Sequence, residues 1–141
     1  MATLKDIKDG IIANLEADAD LMNDIDDNIY EGQREGTLDF PNLNVFIVEE
    51  NESDDTYPNQ KITSTWAIMG SMKEFDDTTI YDDIFTLKNK VVKAICADRR
   101  LGGVADHLMV TNIRYDSELS PVRNFIIMIQ VKSTQSSTAR T

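Results

Sequence analysis

Residues 82–100, DDIFTLKNKVVKAICADRR, carry the strongest periodic signal in the chain. Ile84, Phe85, Leu87, Val91, Val92, Ile95 and Cys96 recur at steps of three and four, which sets most of them on one stripe of an α-helix. Lys88, Asn89, Lys90 and Lys93 are left for the wet side. Asp82 and Asp83 suit the positive N-terminal end of such a helix, and Arg99 and Arg100 its negative C-terminal end. Gly102 and Gly103 follow, and either can supply a left-handed cap. A helix with one apolar face has to bury it against a sheet or other helices. This requirement organises the expectations for the rest of the chain.

The flanking stretches supply the partners. Leu4, Ile7, Ile11, Ile12 and Leu15 mark an amphipathic helix over residues 4–17, with Thr3 as N-cap and Asp6 at the capping-box position. Leu21, Ile25 and Ile29 keep a helical step, so a short second helix can follow. Gly32, Gly36 and Pro41 then break the chain, and residues 33–40 read as a loop. Asp24, Asp26 and Asn28 have the alternate spacing of a calcium loop, but its glycine and terminal glutamate are absent and the motif fails. Residues 43–50, 60–72, 106–115 and 124–132 read as strands, the last two pairing as an antiparallel hairpin around a turn at 116–123. The expected fold is α+β: a mostly antiparallel four-stranded sheet with helices packed on one face, in the order α-(α)-β-β-α-β-β. Residues 1–132 form one domain in this reading, and 133–141 a polar C-terminal tail.

Two features of the strands bear on function. In QKITSTWAIMGSM (60–72) neither face is strongly charged. One face is expected under a helix and the other under a neighbouring subunit. Trp66 there is a core anchor or an interface residue, and Gly70 marks a bulge, a bend or a close approach by another backbone. Glu49, Glu50, Glu52, Asp54 and Asp55 form an acidic run with no histidine or basic partner nearby, which reads as an exposed loop or hairpin tip. Paired carboxylates for acid–base work need one buried acid, and nothing in the run suggests burial.

The chain of 141 residues is long enough for one domain with a real core. Its net charge is −11, against wrapping nucleic acid or sitting on an anionic membrane. The charge is polarised: residues 1–75 hold 17 acids and 5 bases, residues 76–141 hold 8 acids and 9 bases. Cys96, the single cysteine, lies on the helix stripe and reads as a buried small hydrophobe. The N-terminus MATLKDIKDG has no leader pattern, which points to a cytoplasm. His107, the single histidine, has no second histidine or cysteine cluster for zinc and no nucleophile-elbow serine. No catalytic, cofactor-binding or metal residue is expected. Arg99, Arg100, Arg114 and Arg123 would form a basic patch if the hairpin folds beside the helix end, available for phosphate or for ion pairs between subunits.

The element pattern resembles the tail terminator, or tail completion, proteins of tailed bacteriophages, and more loosely the hexameric head–tail joining proteins of the phage neck. The resemblance is carried by the helix of residues 4–17, the strands LNVFIVEE and TSTWAIMGS, and the central helix leading through ADRRLGG into DHLMVTNIRYDSE. The closing strand NFIIMIQVKSTQ completes it. It covers residues 4–132, with the insert from Ala17 to Pro41 departing from the pattern. The resemblance implies no enzyme and no cofactor. It implies a homo-oligomeric ring, usually of six, at the head-proximal end of the tail tube. Such a ring ends tube polymerisation and offers a surface to the connector or stopper protein, while DNA passes through its lumen. The location implied is the virion tail or neck, assembled in the host cytoplasm. Glu49, Glu50, Glu52, Asp54 and Asp55 are then candidates for the lumen, and Trp66, Gly70, Arg99, Arg100, Arg114 and Arg123 for interfaces. Another neck, connector or baseplate ring subunit stays open as an alternative, as does a small ligand-binding domain or enzyme with a scattered pocket.

Overall fold

The computed structural model describes residues 3–32, 40–53, 59–73, 80–115 and 122–136. Helix α1 (Leu4–Glu16) begins as its sequence demands: Thr3 Oγ1 accepts from the Asp6 backbone N–H, and Asp6 returns the bond to the Thr3 N–H. This reciprocal box satisfies two donors that a helix start otherwise leaves open. Helix α2 (Ala19–Ile25) is capped by Asp18, whose carboxylate accepts from Leu21 N. It stops at Asp26 and Asp27, both in the left-handed region with φ of 54° and 60°. Aspartate tolerates that conformation better than most residues.

The helical step continued through Ile29 in the sequence reading, but the two left-handed residues turn the chain, and Ile29–Glu31 becomes strand β1. The sheet therefore has five strands: β1, β2 (Asn42–Ser53), β3 (Asn59–Lys73), β4 (His107–Tyr115) and β5 (Val122–Ser136), in the order β1-β2-β3-β5-β4. β1 lies parallel to β2, and every other pairing is antiparallel. The expected four-stranded sheet is thus extended by a short edge strand, and the element order becomes α-α-β-β-β-α-β-β. β5 runs to Ser136, opposite Asn59, into the stretch read as a tail.

Helix α3 (Ile80–Cys96) is the expected central helix, shorter at its C-terminus. Arg99 and Arg100 lie beyond it in a turn, not in its last turn, and Gly102 and Gly103 sit in a 3-10 turn over Leu101–Gly103. Their positive φ values of 72° and 101° serve that later turn, so they are not the cap of α3. Asn14 of α1 instead closes the helix end, donating to the carbonyls of Ile95 (3.2 Å) and Asp98 (2.8 Å).

The three helices bury one face of the sheet. Ile7, Ile11 and Leu15 of α1, Leu21 and Ile25 of α2, and Ile84, Val91 and Ile95 of α3 form one core with Leu43, Val45, Trp66, Ile68, Leu108, Phe125, Ile127, Ile129 and Val131. Each fully buried aliphatic side chain contributes about 1.5–3 kcal/mol. Cys96 and Val92 are half-buried at the margin of this core. Gly70 sits opposite Phe125, and a Cβ there would overlap the Phe125 ring. The sequence pointed to a bulge, a bend or another backbone at Gly70, and what comes close is instead the aromatic ring of Phe125.

Two bulges re-sort the faces. Val48 is skipped in the β2–β3 register and Thr111 in the β4–β5 register. Strict alternation would set Ile113 and Tyr115 opposite Leu108. The extra residue brings both round to the helix side, paired with Ile127 and Phe125.

Candidate assembly surfaces

The opposite face of the sheet carries no helix among the described residues. By register it presents Asn44, Phe46 and Glu49 from β2, Thr65, Ala67 and Met69 from β3, Ile126, Met128 and Gln130 from β5, and Met109, Asn112 and Arg114 from β4. None of these belongs to the core cluster. Ala67 is buried, Phe46, Met69, Ile126 and Met128 are half-buried, and Met109 is exposed. An antiparallel sheet with a solvated face normally alternates apolar and polar residues. Here the centre of the open face is apolar, rimmed by Asn, Thr, Gln and Arg. Asn44 donates to Asn42 Oδ1 at 3.2 Å, while its own buried Oδ1 has no hydrogen-bond partner.

A second surface lies at the β1–β2 side of the molecule. Leu4, Lys8, Val45, Ile47, Trp66 and Glu31 border a shallow groove of about 510 Å³. Trp66 is mainly a core residue, 5% exposed, with Nε1 donating to Ser64 Oγ at 2.9 Å. Its edge forms part of the groove wall. Lys8 bridges Glu31 at 3.2 Å and Asp9 at 3.4 Å, and Lys5 bridges Asp9 at 2.9 Å. The hydrogen bond that Lys8 donates to Glu31 holds its ammonium above the ordinary pKa. The bond from Lys5 holds the Asp9 carboxyl below its own.

A third surface lies on the β4 side. Tyr81 and Phe85 of α3 stack with ring centroids 6.0 Å apart, and the Phe85 ring meets Tyr115 of β4 edge-on at 5.4 Å. All three rings are substantially exposed.

The acidic run is not a loop up to Glu52. Glu49, Glu50 and Glu52 lie within β2, opposite Thr65, Ser64 and Ile62, so Glu49 faces the open side and Glu50 the helix side. The strand continues beyond the expected boundary because β3 extends to pair with it. Asp54 and Asp55 lie outside the described residues. The four arginines do not converge. Arg99 Nη1 donates to Leu108 O at 3.1 Å at the start of β4, whereas Arg114 and Arg123 sit at the far end of the β4–β5 hairpin. Some six strand residues, roughly 20 Å, separate the pairs. Sequence reasoning missed the aromatic group because Tyr81, Phe85 and Tyr115 meet only after α3 and β4 dock.

Among the described residues, no group of three or more His, Cys, Asp or Glu side chains is placed to hold a metal ion. No helix among them is long and apolar enough to cross a membrane. No family model and no curated protein matches the sequence. In fold the chain is similar to a chain of the virion of a native gene transfer agent particle, with a TM-score of 0.59 and 12% identity. The likeness covers 89% of this chain and 92% of that one, and at this identity it is a likeness of fold.

Proposed function

We propose that the chain is a structural virion subunit, specifically a tail terminator that forms a closed ring at the head-proximal end of a phage tail. The observation that carries the reading is the one-sided helix layer, which leaves the apolar centre of Phe46, Ala67, Met69, Ile126 and Met128 for a neighbour to cover. A fold shared over about nine-tenths of both chains with a gene transfer agent virion chain supports it. So does the resemblance of element order to the terminator family.

The ring would end tube growth by covering the last tube ring and offering a different surface to the connector. Glu49, Glu50, Glu52, Asp54 and Asp55 are proposed for the lumen, and the net charge of −11 suits a channel that DNA slides through without sticking. Catalysis has no part in this role.

The test is tube growth. Purified tail-tube subunits are polymerised with and without the chain at one-hundredth of the tube-subunit concentration. Shortened tubes with one capped end support the reading. Unchanged tubes, or incorporation along their length, overturn it.

A further inference from the structure

We propose that neighbouring copies join by inserting the aromatic group of one subunit into the α1–β2 groove of the next. The contact rests on the ring reading above and names the surfaces that close it. The two surfaces lie on opposite sides of one molecule. The groove is bordered by β1 and β2 at one side of the sheet, and Tyr115 belongs to β4 at the other, so each copy can give and receive. Such a contact is heterologous, the type that closes into rings when the rotation allows.

The polarity of the two surfaces matches. Tyr81, Phe85 and Tyr115 are 58%, 43% and 40% exposed, more than a monomer's interior-facing aromatics would be, and they are held together by ring contacts into one group. The groove is shallow, with Leu4, Val45, Ile47 and Trp66 supplying its apolar walls. Aromatic anchors in such pockets dominate the energetics of interfaces.

Charge matches as well. Lys5 and Lys8 line the groove with Glu31, which pairs Lys8, and the Lys5 side chain is 77% exposed. Asp82, exposed in the first turn of α3, follows Tyr81 of the aromatic group directly in sequence. A docked neighbour brings this carboxylate towards Lys5, which can exchange its intrahelical partner Asp9 for Asp82. The same complementarity disfavours like-to-like docking, groove on groove or aromatic on aromatic, and so favours the head-to-tail arrangement.

The experiment is disulfide trapping in assembled particles. A chain carrying C96S, Lys5→Cys and Asp82→Cys is incorporated into phage particles and mildly oxidised. The expected result is a ladder of covalent oligomers ending at the ring number, absent from either single-cysteine chain. Charge reversal gives a second reading: K5E or D82K alone lowers association at least ~10-fold, and the two together restore it. Particles that hold a multi-copy ring but yield no ladder and no charge-swap rescue overturn this contact and leave the ring standing. Particles without a multi-copy ring overturn the ring itself, and the contact with it.

Discussion

At the scale of single residues, two positions show how tightly the two layers are matched. Gly70 is set by its neighbour across the sheet: the Phe125 ring occupies the space of a side chain, and no rotation of valine at 70 avoids it. Gly70→Val is expected to cost about 1–3 kcal/mol, with part recovered by adding Phe125→Leu. Urea denaturation of the single and double variants checks it. An unchanged midpoint for the single variant would refute the packing. Ser64 is the second position. It is fully buried and accepts the Trp66 indole N–H, so Ser64→Ala leaves that donor orphaned and should destabilise by about 1–3 kcal/mol. In sequence Ser64 looked like an ordinary small residue in an alternating strand, and Gly70 was singled out without its partner. Their roles depend on Phe125 and on a rotamer of Trp66, and neither can be read from spacing.

At the scale of elements, periodicity carried most of the fold. The capping box of α1, the stripe of α3 and the alternation of β5 each depend on nearest neighbours in sequence, and each is found where the pattern placed it. Truncating Val91 or Ile95 to Ala should destabilise by about 2–5 kcal/mol, read as a fall in thermal or denaturant midpoint, because both are fully buried. A change of a few tenths would contradict that burial. What escaped was set by exceptions to periodicity. β1 is three residues long and follows two left-handed aspartates. The extra residues Val48 and Thr111 shift alternation by one without any change in composition. The acidic run was read as a tip because charge was weighed over pairing, yet β3 carries β2 on as far as Ser53.

Ion pairs tie the elements together and make a pH prediction. Lys8 joins α1 to Glu31 of β1, and Lys90 of α3 bonds Asp24 of α2. Both ammonium groups are raised above 10.5, in each case chiefly by the hydrogen bond to the carboxylate. A raised pKa means that the stabilisation is complete below the unfolded value of 10.5 and is lost as pH rises through the folded one. The Tm of the wild type should therefore exceed that of a Lys8→Met, Lys90→Met variant at neutral pH and low salt. The difference should vanish in alkali, and should shrink in high salt because the pairs are exposed. A difference that grows with pH would contradict the assignment.

At the scale of the molecule, the account turns on what covers a sheet face that three helices leave open. Polarised charge, an apolar open face, and a groove and an aromatic group on opposite sides fit a subunit made to repeat around an axis. The interfaces were only partly legible in sequence. The lack of a solvent face in residues 60–72 was visible, while the groove and the aromatic group are products of tertiary folding. Imaging phage particles that carry a tagged copy of the chain tests the central claim most directly. The account predicts one ring of several copies at the head-proximal end of each tail. Density repeated along the tube, or no density in the particle at all, would contradict it.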